Sequence, residues 1–162
     1  GPFYNQMIGE ARGALTTIGT RFPNLAGRPV ELVGFGWHQG WNDRINEAFV
    51  NEYQRNMDHF IRDVRRDLGT PNMPFVIAET GMGGLVEKNK RALQLMDAQA
   101  AVAEEGEFKG NVAFVGTRAF WRAPEESPSD QSYHWNSNGE TYYLIVHSMG
   151  TAMVELLKRG GK

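Results

Sequence analysis

Val30-Glu31-Leu32-Val33-Gly34-Phe35-Gly36-Trp37 runs directly into His38-Gln39-Gly40-Trp41-Asn42-Asp43. The first half is short, rich in β-formers and bounded upstream by the turn residues Asn24, Gly27 and Pro29, so it reads as a strand over 30–37. Leu32, Val33 and Phe35 make its end nearly continuously apolar, as in a strand buried on both faces. The second half breaks that pattern with Gly40 and polar side chains and reads as the loop at the strand's carboxyl end. Upstream, Tyr4, Met7, Ile8, Ala11, Ala14, Leu15 and Ile18 recur in steps of three and four, one face of a helix. Downstream, Ile45, Phe49, Tyr53, Met57, Phe60, Ile61, Val64 and Leu68 form a longer helical stripe opposite Asp58, Arg62, Asp63, Arg65 and Arg66. Gly69 and Pro71 end it.

The alternation continues. Pro74 to Ala78 reads as a second strand, and Gly81, Gly83 and Gly84 as a loop. Glu87 to Glu105 reads as a helix with Ala92, Leu93, Met96, Ala100 and Ala103 inward, and Asn111 to Gly116 as a third strand. A polar stretch from Arg118 to Asn138 is long for a connection, which marks it as functional or disordered. The last helix runs from about 139 to 158, with Tyr142, Ile145, Met149, Ala152, Met153 and Leu156 on one face. The order α-β-α-β-α-β-α predicts an α/β fold: three layers, α/β/α, around a short parallel sheet. A sheet with three strand signals leaves an edge open for pairing, and Val30–Trp37 is expected to be that edge and to pair across an interface.

The chain of 162 residues, 41% hydrophobic and 11% aromatic, has the size and composition of a single domain with a core of its own. No apolar run approaches a membrane span. A net charge of -2 implies no basic face, which argues against nucleic acid or an anionic membrane as partner. Zero cysteines remove disulfides, thiol nucleophiles and thiolate metal sites. Spacings such as H-E-x-x-H are absent, so neither a metal nor a cofactor is expected. Gly1-Pro2 opens on a helical pattern with no Met, no basic segment and no apolar segment of a leader, so the chain reads as a piece that something precedes.

In open α/β sheets ligands bind outside the carboxyl ends of the strands. Three segments belong there: 36–43, 79–84, and the run from Thr117-Arg118 through Trp121-Arg122 to His134-Trp135. They hold all four tryptophans, Trp37, Trp41, Trp121 and Trp135, a clustering that suits a flat-faced ligand such as a sugar. Within Gly40-Trp41-Asn42-Asp43, the glycine lets backbone approach a ligand and the Asn42 amide can donate to an oxyanion. The same Asn-Asp can instead begin the next helix as a cap. His134, with Asp130 four residues before it, has the makings of a general base with an orienting acid, or of a solvated loop histidine. His38 can line the same cleft or be a hydrogen-bonded structural residue. His59 and His147 fall on solvated helix faces. His147-Ser148-Met149-Gly150 mimics a serine elbow, but Ser148 lies inside a helical pattern with no histidine after it. Gly81-Met82-Gly83 lacks the third glycine of a dinucleotide loop, since Val86 stands there.

The block Gly34 to Asp43 resembles the surroundings of the W-x-Q-G string in sialate O-acetylesterase-like proteins, which are SGNH (GDSL-like) hydrolases related to carbohydrate esterase family 6. Tyr133-His134-Trp135-Asn136 and Asn138 to Tyr143 resemble that family's terminal His block and closing helix. Thr117-Arg118 and Phe120-Trp121-Arg122 fit the same group. The resemblance covers most of the chain and implies a flavodoxin-like serine esterase that removes acetyl groups from sugars without a cofactor. It implies His134 as the base and Asn42 with Gly40 as oxyanion donors. Asp130 would be the partner of His134, although the spacing here is D-x-x-x-H where the family reads D-x-x-H. Glu140 is a second candidate partner. Trp37, His38, Gln39, Trp41, Arg118, Trp121 and Trp135 would line the acetylated-carbohydrate site.

The family's serine block, which lies near its N-terminus, has no counterpart in this chain. The chain therefore reads as the C-terminal part of an SGNH hydrolase domain, inactive or nearly so alone. Two other readings stand beside it: a non-catalytic carbohydrate-binding module, and a subunit completed by a second copy or by another chain. The family is often exported, but the residues present do not assign a compartment.

Overall fold

The computed structural model describes residues 1–160. It contains helix α1 (Pro2–Arg21), strand β1 (Phe35–Trp37), α2 (Glu47–Asp67), β2 (Phe75–Ala78), α3 (Lys90–Glu104), β3 (Val112–Val115) and α4 (Gly139–Gly160). The strands form one parallel sheet in the order β1-β2-β3, with Phe35 opposite Phe75 and Phe75 opposite Val112. This is the expected α/β architecture.

Side-chain alternation sorts the layers. Phe75 and Ile77 of β2 face α2 and α3, in a core with Tyr53, Met57, Ile61, Val64, Leu95 and Val102. Val76 faces the opposite way, with Leu156, Met149, Ala152 and Met153 of α4. All four residues of β2 are buried, as a central parallel strand requires. Helix α1 joins the first layer through Ile8, and through Tyr4, whose hydroxyl donates to Asp67 over 2.6 Å. Phe35 stacks on Phe75 with ring centroids 4.8 Å apart, and Phe60 meets both rings edge-on. Such pairs contribute about 0.5–1.5 kcal/mol each beyond area burial.

β1 is shorter than the sequence predicts and is not buried on both faces. Its ladder begins where the Phe35 N–H donates to the Pro74 carbonyl. Pro74 has no N–H to extend the pairing, so 30–34 runs on as irregular chain with Val30 and Val33 exposed. β1 pairs only with β2, which makes it the expected edge. Its glycines alternate with its aromatics for a packing reason. A side chain at Gly34 would collide with Met153, and one at Gly36 would come within 3.3 Å of Met149 Cε, so α4 lies close over that face.

Helix α2 also departs from its expected faces. It starts at the cap Asn46, whose side chain accepts from the Ala48 N–H. Ile45 and Phe49 are left exposed, while Val50 is buried in their stead. Asp58 and Arg65 are buried rather than solvated. Arg65 reaches the Met73 carbonyl at 3.0 Å and the Asn111 side-chain oxygen at 2.6 Å, tying α2 to the approaches of β2 and β3. In α3 the inward stripe includes Leu95, Gln99 and Val102, and Leu93 is only half-buried.

Candidate functional site

The loops that leave the carboxyl ends of the strands meet the segment before α4 in a cleft of about 290 Å³. His38 to Asn42 come from the loop after β1, Thr80 and Met82 from the loop after β2, and Tyr133 to Trp135 from the segment before α4. Tyr142 closes the set from the first turns of α4.

The loop after β1 is fastened by its own backbone. The Gln39 carbonyl accepts from the Tyr53 hydroxyl at 2.9 Å, the Thr80 hydroxyl at 3.1 Å and the Gln99 amide at 2.9 Å. Fully buried Gln99 also donates to Thr80 Oγ1 at 2.8 Å and accepts the Thr80 N–H at 2.8 Å. One side chain of α3 thus clamps the loops after β1 and β2 together. Gly40 is what lets them approach. A Cβ there would lie 2.5 Å from Thr80 Oγ1 and 3.1 Å from Gln99 Nε2, and its φ of +151° is one that L residues rarely adopt. The third loop is tied in by Glu79. Its carboxylate accepts from the N–H groups of Thr117 at 2.8 Å and Arg118 at 3.1 Å, and it pairs with the Arg118 guanidinium at 3.0 Å.

His134 is held differently. Trp135, Asn136 and Ser137 all have positive φ, 50°, 53° and 57°. A run of left-handed non-glycine residues costs roughly 1–2 kcal/mol per residue and persists only when its surroundings impose it. The imposing contacts come from two asparagines. Buried Asn136 donates its side-chain amide to the Arg122 carbonyl at 2.9 Å, and its backbone carbonyl accepts the Ser129 N–H at 3.1 Å. Asn138 donates to the Glu126 carbonyl at 3.1 Å and caps α4 by accepting the Thr141 N–H at 3.1 Å. The Tyr142 hydroxyl donates to the His134 carbonyl at 3.1 Å. The imidazole itself is exposed beside the Tyr133 ring, 4.5 Å centroid to centroid, and makes no side-chain hydrogen bond among the described residues.

The cleft brings together seven of the residues singled out from sequence: His134, Asn42, Gly40, His38, Gln39, Trp41 and Trp135. Asn42 does not cap α2, which Asn46 does, and it makes no side-chain capping bond to the turn that follows it. Trp41 stands at the rim with the Arg44 guanidinium 3.3 Å over its ring and Tyr133 at 5.9 Å. Five residues lie elsewhere. Trp37 packs on Phe60 at 4.5 Å beneath the loop. Arg118 is spent on Glu79. Trp121 packs behind Trp135 at 6.1 Å and against Gly84, where any side chain would strike its ring. Asp130 is exposed, with no hydrogen bond to His134 among the described residues, and Glu140 pairs with Arg122 at 3.0 Å instead. The tryptophan cluster is therefore divided: Trp41 and Trp135 line the cleft, while Trp37 and Trp121 support it.

Thr80, Met82, Tyr133 and Tyr142 complete the lining without having been singled out as site residues. The clamp Gln99 signals itself in sequence only as a polar residue four positions after Leu95. The lining contains no serine; its hydroxyls are Thr80, already committed to the clamp, and two tyrosines. Burial pushes the His38 imidazole below its usual pKa, so it stays neutral at physiological pH. Burial also raises the Tyr142 and Tyr53 phenols, which keeps both as hydroxyl donors.

The chain is an α/β protein with its cleft at the carboxyl ends of a parallel sheet, the place where open α/β sheets bind ligands. Residues 1–154 match the model of the family described as carbohydrate esterase, sialic acid-specific acetylesterase, and the chain belongs to that family. A protein of Arabidopsis thaliana named a probable carbohydrate esterase is 33% identical over 63 residues. That match takes in 38% of this chain and 24% of the relative, so it spans about a quarter of the relative's length. No solved structure matches.

Proposed function

We propose that this chain forms the base-and-oxyanion half of a carbohydrate O-acetylesterase centre of the SGNH type, whose serine is supplied by polypeptide outside the described residues. The observation that carries this reading is the single cleft into which the loop after β1 delivers Gly40 and Asn42 and the segment before α4 delivers His134. Membership of a carbohydrate esterase family supports the reaction class.

In the reaction the serine oxygen attacks the acetyl carbonyl carbon and its proton passes to His134. The carbonyl oxygen takes up the negative charge and is held by the Gly40 N–H and the Asn42 amide. The sugar oxygen leaves with the proton from His134. Water then cleaves the acyl-serine, with His134 again as base. With Asp130 and Glu140 turned elsewhere, the orientation of His134 comes from its backbone, through Tyr142 and the left-handed residues that follow it.

Hydrolysis of p-nitrophenyl acetate by the purified chain tests the proposal. Lacking the serine, the chain should accelerate the reaction by no more than about 10³–10⁴-fold over water. His134→Ala should remove about 10²-fold of that acceleration. A burst of p-nitrophenol followed by slow turnover would mean a nucleophile within the chain and would overturn the external serine. A rate indifferent to His134→Ala, together with sugar binding in the cleft, would favour a carbohydrate-binding module, a role that the Trp41 and Tyr133 wall also suits.

A further inference from the structure

Buried side-chain polar atoms without a hydrogen-bond partner are concentrated beside the cleft. His38 Nε2, Trp135 Nε1 and Asn136 Oδ1 are all of this kind, in two adjacent residues and the histidine that faces them. Leaving a buried donor or acceptor unpaired costs about 1–3 kcal/mol, so a native structure that does so asks for an explanation. Asn136 has one in part, since its amide anchors the segment to Arg122. His38 and Trp135 do not. Neither holds a loop, and both line the cleft. Trp135 is only 1% exposed, and its ring lies 5.9 Å from the His38 ring at an interplanar angle of 44°. The two nitrogens do not bond each other, so each keeps an unused hydrogen-bonding capacity at the cleft wall.

Resting on the carbohydrate-cleft reading above, we propose that His38 and Trp135 form a two-point site for one hydroxyl oxygen of the sugar, at the inner wall of the cleft. The chemistry favours a hydroxyl over an ester or carbonyl oxygen. The indole N–H is only a donor, so the ligand atom must accept from it. His38 is neutral, and its Nε2 either donates or accepts according to tautomer. A hydroxyl has one proton and two lone pairs, and so satisfies Trp135 and either tautomer of His38 at once. A carbonyl oxygen satisfies only one of those tautomers. The pair stands beside Gly40, one residue beyond the clamped Gln39, so a hydroxyl seated there would set how the sugar lies relative to the oxyanion donors. His38 and Trp135 would then act in choosing and orienting the sugar, with no part in proton transfer.

The test uses the full chain labelled with ¹⁵N, its four indole N–H resonances assigned by Trp→Phe substitution, and N-acetylneuraminic acid as the probe. The Trp135 indole resonance should move with the same saturation curve as that of Trp41 at the rim. Trp135→Phe and, separately, His38→Phe should each weaken binding about three- to tenfold, the worth of one net hydrogen bond. The Trp41 resonance reports that affinity, and retained spectral dispersion shows that each variant folds. Saturation of Trp41 with Trp135 unmoved, or undiminished affinity in both variants, would overturn the hydroxyl site and leave the cleft reading standing. If no cleft resonance responds to the sugar, the cleft reading fails and the hydroxyl site falls with it.

Discussion

The two walls of the cleft are held by opposite means. The wall after β1 is fixed from beneath: a buried amide on α3, a tyrosine on α2 and a threonine after β2 converge on one backbone carbonyl, that of Gln39. The wall that carries His134 is fixed from its flanks, by asparagines that hold a left-handed backbone in place. The first device is a satisfied polar network in the interior, where every lost bond strands a partner. The second stores strain in a loop segment held at its flanks, where a lost bond frees the segment and leaves the sheet and its helices in place. Damage to the first wall should therefore register in global stability, and damage to the second in local opening.

Gln99→Leu is the severest test of the first wall. It keeps the volume but strands the Thr80 N–H in the interior and takes one of the donors from Gln39. A loss of about 3 kcal/mol in urea unfolding is expected. A loss under about 1 kcal/mol would show that the loops are held by packing alone, and the contrast between the walls would disappear. Gly40→Ala attacks the same joint from the other side. The added Cβ meets Thr80 Oγ1 at 2.5 Å and the backbone sits at φ +151°, so about 2 kcal/mol should be lost. The cost should shrink in a Thr80→Ala background, because much of it is that one contact.

For the second wall, Asn136→Ala and Asn136→Gly separate strain from hydrogen bonding. Both lose the bond to Arg122, but glycine accepts a φ of 53° that alanine resists. Alanine should cost about 1–2 kcal/mol, and glycine about 1 kcal/mol less than alanine. Amide exchange should quicken over 129–138 in both variants and stay unchanged in β2. Equal costs for the two substitutions would mean that the left-handed run is not strained.

These contrasts also explain what could be read in advance. The parallel sheet, the edge position of β1 and the convergence of Asn42 with His134 follow from periodicity and from where strand ends must lie. Hydrophobic spacing is a property of side chains, and it survives into the fold. The clamp is less visible because its central atom, the Gln39 carbonyl, belongs to the backbone and is common to every residue. Gln99 shows only as a polar break in a helical stripe. The left-handed run at Trp135 to Ser137 leaves only a faint mark, since Asn136 tends toward that conformation but tryptophan and serine do not. The 30–34 stretch reads as strand on its own composition, but its end was set across the sheet, by the missing N–H of Pro74. Asp130 makes no hydrogen bond to His134 among the described residues for the same kind of reason: four residues of separation say nothing about a backbone that reverses between them.

A last and smaller effect lies outside both walls and serves as their control. Asp58 on α2 is buried, its Oδ1 has no partner, and burial with the nearby Glu105 carboxylate raises its pKa from 3.8 to about 6. A carboxyl whose folded pKa lies above its unfolded one binds its proton more tightly in the native state. Between about pH 4 and 6 the unfolded chain therefore holds fewer protons than the folded one, and stability falls as pH rises through that window. Above it the full penalty remains. Asp58→Asn cannot ionise, so it should be more stable than the parent by about 1 kcal/mol at pH 7 and indistinguishable from it near pH 4. Urea midpoints at the two pH values measure this directly. Amide exchange in the loop after β1 and over 129–138 should be unaltered at pH 7, because the gain comes from the seam between α2 and the end of α3. If exchange in those segments slows along with the global gain, the walls share one cooperative unit with the core, and the difference between them is one of chemistry rather than of stability.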